Sequence, residues 1–325
     1  MARAEPLSGV FGLIGSESVD DWFAEPSYAG VQQRYRVRAR LHAQQTPWQS
    51  LEVLDLEGPG RALILGGTLQ TSLGEEFTYH EPLVHIPMFA HPNPHRVLII
   101  GGGDGGALRH VLLHPSVDRA LEVEIDDVVV QVSLRFLPEI SRGAYSDKRA
   151  ELKIGDGAGF LAETSERFDV ILIDSTDPVG PAAALISDEF LQHAHRALAP
   201  GGLLTMQSGS PVSQPLEWFA TVRAFKRAFP IAKPYIGYVP IYPAMLWSWV
   251  VGSTEIDPAS IDEVSTQSRL DGMRSELRVY NTAMHRAAFA LPTFVHSLLQ
   301  LTDRDEPPTS TDLRRAGHPL PGVIA

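Results

Sequence analysis

The chain has 325 residues, 44% hydrophobic and 20% charged, enough for one large domain or two ordinary ones with a sizeable core. Its formal net charge of −12 argues against a nucleic-acid backbone as partner, and no apolar run reaches the roughly 18–20 residues of a membrane span. The absence of cysteine excludes disulfides, thiolate metal sites and cysteine nucleophiles.

At the N-terminus, Arg3 and the short apolar stretch from Val10 to Ile14 run straight into acidic residues. This reads as no signal peptide, with the cytoplasm as the expected location. From about residue 20 to 76 the texture is β-like. Residues 34–41 and 50–56 alternate between polar and apolar, Glu57-Gly58-Pro59-Gly60 is a turn, and Arg61 to Leu65 is a further strand. A small antiparallel β-domain over residues 1–76 is expected. Phe77 to Phe89 reads as a helix with Pro82 near its start, followed by a linker turn at His91-Pro92-Asn93-Pro94.

From residue 96 strands and helices alternate. Apolar strands at 97–100, 120–124, 151–154, 169–173 and 201–207 are each followed by a helix, at 105–113, 127–136, 158–164, 187–198 and 215–229. This predicts an α/β domain over residues 77–325 with a doubly wound parallel sheet. Trp247 to Gly252 reads as a late strand, and residues 304–325, rich in Pro, Gly and charge, as a surface tail.

The chemistry gathers at strand ends. Val97-Leu98-Ile99-Ile100 feeds the turn Gly101-Gly102-Gly103-Asp104-Gly105-Gly106. Glycines there let a ligand approach the backbone, and the next helix offers free N–H groups. Asp104 would repel a pyrophosphate, which disfavours a dinucleotide; it could equally cap the following helix. Glu124 ends the next strand, where a carboxylate can accept both ribose hydroxyls, while Asp126 and Asp127 are positioned as helix caps. Gly155-Asp156-Gly157 puts an acid where an adenine amine would lie, or simply in a tight turn. Asp174 and Asp177 bracket a Pro-terminated loop after Val170-Ile171-Leu172-Ile173. Two acids so spaced suit a general base plus an ammonium anchor, or two solvated loop acids. Together these turns predict a nucleoside-like ligand with a cationic reacting end.

His80, Glu81 and His85 superficially resemble a zinc helix. Their spacing is one residue too long and Pro82 interrupts it, so no metal site is expected. Tyr79 and His80, at the domain junction, can instead line the cleft. No Gly-x-Ser-x-Gly elbow, P-loop or basic-aromatic patch occurs.

Val97–Gly106, Val123–Asp126, Gly155–Gly157 and Asp174–Pro181 together resemble the polyamine aminopropyltransferases, spermidine synthase and its relatives. Pro47-Trp48-Gln49, Leu69-Gln70-Thr71, Tyr79-His80-Glu81, Pro240–Pro243, Tyr280-Asn281 and His285–Pro292 extend the resemblance over almost the whole chain. It implies a Rossmann-like, methyltransferase-type domain behind the β-domain, a homodimer or homotetramer, and no nucleic-acid or membrane partner. It implies decarboxylated S-adenosylmethionine as aminopropyl donor, a sulfonium nucleoside used as co-substrate with no further cofactor. A polyamine would be the acceptor, putrescine by default, and 5′-methylthioadenosine would be released. Carried over by position, Gln49, Gln70, His80, Gly101, Gly103, Asp104, Glu124, Asp156, Gly157 and Pro181 would hold the donor. Tyr79, Asp177, Gln207 and Tyr242 would hold the acceptor, with Asp174 as general base. The chain departs from the family at Arg109-His110, where Arg-Glu is usual, and at Ala244-Met245, where Ser-Gly is usual. A methyltransferase on the same sheet and a catalytically silent polyamine- or nucleoside-binding relative are the competing readings.

Overall fold

The protein is described by a computed structural model covering residues 21–28, 30–176, 184–273, 276–320 and 322–323. Five strands open the fold: β1 (Trp22–Tyr28), β2 (Val31–Gln45), β3 (Ser50–Leu56), β4 (Gly60–Leu65) and β5 (Thr68–Ser72). They pair in sequence order as one antiparallel sheet. Short turns between alternating strands favour this meander, and one face stays wet: β2 is largely exposed while β3 alternates buried and half-buried positions.

Helix α1 (Phe77–Ala90) follows, buried on every side from Thr78 to Phe89 despite Pro82 and Pro87. A helix apolar all round belongs between layers rather than on a surface. It packs against the second sheet and shares an apolar core with Leu54, Ile64 and Leu69 of the first.

The second sheet has β6 (Arg96–Gly101), β7 (Arg119–Glu124), β8 (Ala150–Ile154), β9 (Phe168–Asp174), β10 (Leu198–Gly209), β11 (Ile231–Tyr238) and β12 (Leu246–Ser253). Its strand order is β11-β12-β10-β9-β6-β7-β8. The five strands from β10 to β8 are parallel, while β11 and β12 pair antiparallel at one edge. The sheet is therefore mixed, not wholly parallel as the alternation suggested. Strand β11 was not expected from the sequence: it contains Pro234, which an edge strand tolerates because one row of its N–H groups has no ladder partner.

The intervening helices are α2 (Gly106–Leu112), α3 (Asp127–Phe136), α4 (Pro138–Ser141), α5 (Gly157–Glu163), α6 (Asp188–Ala197) and α7 (Pro215–Ala228). Their starts follow local chemistry. Asp126, Asp156 and Ser187 cap α3, α5 and α6 by accepting from N–H groups of the first turn, and Pro215 opens α7. Strand order reverses between β6 and β9, so a crevice opens at the carboxyl ends of these strands.

The chain closes with α8 (Glu263–Asp271), α9 (Thr282–Ala288), α10 (Thr293–Leu301) and α11 (Ser310–Arg315). The expected surface tail is thus a structured element. Thr309 and Asp312 form a capping box at α11, Leu313 is buried, and His318 Nε2 lies 2.9 Å from the Pro211 carbonyl. Short helices with few apolar residues leave little periodicity to read, which is why the segment resembled a tail.

Glu81 ties this C-terminal part to α1. Wholly buried, its carboxylate accepts backbone N–H groups of Arg278, Val279 and Tyr280 at 2.7, 2.7 and 2.6 Å. Glu81→Ala would strand three backbone donors, that of Tyr280 buried and those of Arg278 and Val279 partly so, and is expected to cost about 3 kcal/mol in urea unfolding. Glu81→Gln, keeping one acceptor oxygen, should cost less; equal stability of the alanine variant would rule out this anchor.

Candidate functional site

A cavity of about 250 Å3 lies where the crevice of the second sheet meets the first sheet and α1. Glycine brings its walls together. A Cβ on Gly101 would stand 2.2 Å from the Asp174 carbonyl oxygen, and one on Gly106 would stand 2.2 Å from the His80 ring. Gly101 also adopts φ +79°, a left-handed conformation that disfavours side chains.

Each strand end delivers one acid. Asp104, in the β6–α2 turn, accepts from Gly106 N–H at 2.7 Å. Glu124, the last residue of β7, accepts from Gly103 N–H at 3.2 Å and Asp126 N–H at 2.8 Å. Asp156 follows β8 and accepts from Ala158 N–H at 2.9 Å. Asp174 ends β9, and its buried Oδ2 finds no hydrogen-bond partner among the described residues. All four line the cavity, with Gly101, Gly103 and Gly157.

From α1 come Tyr79 and His80. His80 Nδ1 is 2.8 Å from Glu76 Oε2; its Nε2 is 3.6 Å from Asp104 and 4.0 Å from Asp174. Burial opposes charge on this ring, but Asp104, Glu76 and Asp174 outweigh it and hold its pKa at about 9. Among the described residues it is the one basic side chain lining the cavity. Burial raises Asp174 to about 6; the His80 charge and a Tyr79 hydrogen bond lower it, while Asp104 adds to the rise. Burial also raises Glu124, to about 7, against its backbone N–H partners.

The first sheet and the β11–β12 connection complete the walls. Gln49, Gln70 and Tyr242 line the cavity, and Tyr242 donates its hydroxyl to the Gln70 carbonyl at 2.7 Å. Beyond Tyr242, Ala244 and Met245 both adopt positive φ, 60° and 61°, at the positions where the sequence departs from its look-alikes. Gln207 does not reach the cavity lining; it is buried at the end of β10, with Oε1 accepting from Gly209 N–H at 2.9 Å. Asp177 and Pro181 lie outside the described residues.

Several residues of the site were not singled out in the sequence. Trp48, half exposed at the mouth, adjoins Gln49 and could have been found by that neighbourhood. Leu63, Leu65 and Val129 supply apolar wall, and their strand and helix patterns mark them only as core. Glu76 and Arg109 are joined at 2.7 Å behind His80; Arg109-His110 stands out in the sequence only as a departure from the family, and nothing there announces this contact.

Comparison with known proteins agrees with this architecture. A family model described as the spermine/spermidine synthase domain matches residues 76–263, and one described as the spermidine synthase tetramerisation domain matches residues 21–72. The polyamine aminopropyltransferase of Caldicellulosiruptor saccharolyticus is 41% identical over 279 residues, covering 86% of this chain and 98% of that protein. That of Thermoanaerobacter sp. is 41% identical over 277 residues, covering 85% and 98%. A solved spermidine synthase in complex with the transition state analogue AdoDATO superposes with a TM-score of 0.82 at 35% identity, covering 89% of this chain and 99% of that one. The spermidine synthase of Thermotoga maritima gives 0.80 at 35% identity, covering 89% and 98%. With acids at four strand ends and both family models matched in order, the chain belongs to the spermine/spermidine synthase family and is a transferase of the polyamine aminopropyltransferase kind.

Proposed function

We propose that the protein moves the aminopropyl group of decarboxylated S-adenosylmethionine to a diamine, putrescine by default, and releases 5′-methylthioadenosine. The observation that carries this reading is Asp174: a buried carboxylate at the switch point, one oxygen unpartnered, beside a second acid and a single histidine. Such a place attracts cations and can take a proton.

The reaction is a direct displacement. The acceptor nitrogen forms a bond to the methylene beside the sulfonium; the carbon–sulfur bond breaks, and its electron pair leaves sulfur neutral. An alkylammonium has a pKa of about 10, so it must lose a proton before it attacks. Asp174 takes that proton. Tyr79, whose hydrogen bond reaches Asp174, and Tyr242 frame the amine's approach, with Asp177 as its second anchor. Gln207, its Oε1 held by Gly209 N–H, joins them at the end of β10. Asp104 pairs with the donor's terminal ammonium, Glu124 with its ribose hydroxyls, and Asp156 with its adenine amine. Gln49, Gln70, His80, Gly101, Gly103, Gly157 and Pro181 complete the donor's bed. Intact S-adenosylmethionine carries a carboxylate that Asp104 would repel; a clash of about 1.4 kcal/mol is already tenfold in affinity.

Cytoplasmic location and a homodimer or homotetramer belong to the same proposal. No helix among the described residues is long and apolar enough to cross a membrane, and the tetramerisation-domain match supports an oligomer. The division into a domain ending near residue 76 and a catalytic domain from residue 77 is supported by α1 beginning at Phe77 after the first sheet.

Mass spectrometry of purified protein with the decarboxylated donor and a panel of amines tests the function. Aminopropyl addition is expected, and addition of a methyl group from intact S-adenosylmethionine would overturn it. In that assay Asp174→Asn should cut turnover by about 10²–10⁴ while donor binding stays within a few-fold. Asp104→Asn should weaken the decarboxylated donor and narrow its advantage over S-adenosylmethionine; unchanged discrimination would remove Asp104 from that role. The pH dependence has a definite sign. Asp174 works only ionised, and its pKa in the empty site is raised to about 6. Thus kcat/KM should fall about tenfold per unit as pH drops below that value. A flat profile down to pH 5 would exclude Asp174 as the base.

A further inference from the structure

Behind His80 a line of side chains runs away from the cavity through the core. Arg109 Nη2 donates to Glu76 Oε1 at 2.7 Å and lies 2.9 Å from His110 Nε2. His110 Nδ1 lies 3.0 Å from His85 Nε2, and His85 Nδ1 lies 2.9 Å from His114 Nε2. The three imidazoles are fully or almost fully buried, and Phe89 and Tyr280 pack against them.

Chemistry sets the direction of this line. A guanidinium has donors and no acceptor, so His110 Nε2 must present a lone pair to it. The His110 proton is then on Nδ1 and points at His85 Nε2, which must accept. His85 in turn carries its proton on Nδ1 and gives it to His114 Nε2. A proton added anywhere in the row would set two donors face to face. We propose that His110, His85 and His114 form a one-directional row of neutral Nδ1–H imidazoles that holds Arg109 on Glu76 and thereby positions His80 beneath Asp104 and Asp174.

The charges around the row agree. Burial drives all three rings toward neutrality, His85 to about 3, with Arg109 acting the same way on His85 and His110 and Arg269 on His114. Glu76 is the acid closest to the row, its Oε2 3.9 Å from His110 Nε2, but that oxygen is engaged by His80. Arg109 depends on the row, because its Nε has no hydrogen-bond partner among the described residues. Its placement therefore rests on the Nη2 contacts to Glu76 and His110. Glu76 then shares its charge between Arg109 and His80, and the His80 Nε2–H is left facing the two acids. The three histidines touch neither substrate position, so they are positioning residues. Their meaning for turnover rests on the aminopropyl-transfer reading; their protonation states do not. The spacing of the rings is that of hydrogen bonds between nitrogens, with the lone pairs directed along the row rather than converging on a common point, as a metal would require.

Nitrogen NMR of the whole protein labelled at histidine, with resonances assigned by single variants, reads the tautomers directly. Neutral Nδ1–H rings are expected at all three positions from about pH 6 to about pH 9. An Nε2–H or doubly protonated ring at His110 or His85 would overturn the proposal. Two variants test the consequence for His80. His110→Gln keeps an acceptor for Arg109, whereas His110→Leu does not. In the leucine variant Glu76 no longer shares its charge with Arg109, so His80 should hold its proton to higher pH than in the native protein. There kcat/KM for the donor should fall by about tenfold, against about twofold or less for glutamine. Equal loss of thermal stability in both variants with an unmoved His80 titration would make the row mere packing. Should the leucine variant fail to fold, the tautomers of the native protein decide. Absence of turnover in the native protein, with the tautomers as expected, would sink the transferase reading and leave the row intact.

Discussion

Two buried carboxylates a few ångströms from one histidine govern the site. Asp104 and Asp174 come from the ends of neighbouring strands, β6 and β9, and among the described residues no lysine or arginine lines the cavity beside them. Like charges so close raise each other's proton affinity, and burial adds to the effect. His80 is what lets them coexist as anions: its Nε2 reaches toward both, and their field keeps it charged against the cost of burial. With four acids lining the cavity and His80 as its one basic side chain among the described residues, the site favours cationic groups.

The fold's construction follows from placing that histidine. His80 belongs to α1, which packs on the second sheet against β9, β10 and β11 and shares a core with Leu54, Ile64 and Leu69 of the first, so its position depends on both. Leu51, Val53, Leu63 and Leu65 of the first sheet share a core with Val129, Val132, Leu137 and Ile140 around α3 and α4. Polar ties reinforce the apolar contact. Thr46 donates to Asp126 at 2.7 Å, and the Tyr242 hydroxyl reaches the Gln70 carbonyl. The first sheet is therefore a wall of the cavity as well as a neighbour of the second. Its loss would open the site on the side where Gln49, Gln70 and Trp48 stand.

The parts of this arrangement that were legible in the sequence are the local ones. A buried parallel strand followed at once by glycines and an acid carries its structure and its chemistry within ten residues, as at Val97–Gly106. Glu124, Asp156 and Asp174 were found by the same logic, and the structure gathers them around one cavity. Gln49, Gln70 and Tyr242 come from distant, ordinary-looking strands and turns; they were reachable only by resemblance. His85 and Arg109-His110 were noticed for other reasons, but the contacts that join Glu76, Arg109 and the histidine row lie between α1 and α2, where no spacing encodes them. Strand β11 was hidden by Pro234, whose cost depends on whether a strand is central or at an edge, a tertiary fact. Gln207, expected to hold the acceptor, lies at the end of β10 with Oε1 on Gly209 N–H and is not among the residues lining the cavity.

The acids also show why a structural role and a ligand role are poor alternatives. A carboxylate has about four lone-pair positions. Asp104 and Asp156 each spend one oxygen on a helix-opening N–H, and Glu124 spends both on backbone N–H groups, yet all three still face the cavity. Those bonds fix the side chains before any ligand arrives, which is how a polar site avoids reorganising on binding. Asp174 differs. Its Oδ2 takes no backbone N–H, and its proton affinity is set by burial, His80, Asp104 and Tyr79 rather than by a cap. Backbone N–H bonds favour an acid's ionised form, and at Glu124 burial outweighs them and raises the carboxyl to about 7. What sets Asp174 apart is the unengaged Oδ2: among the described residues no hydrogen bond holds it, so a proton there displaces no backbone hydrogen bond.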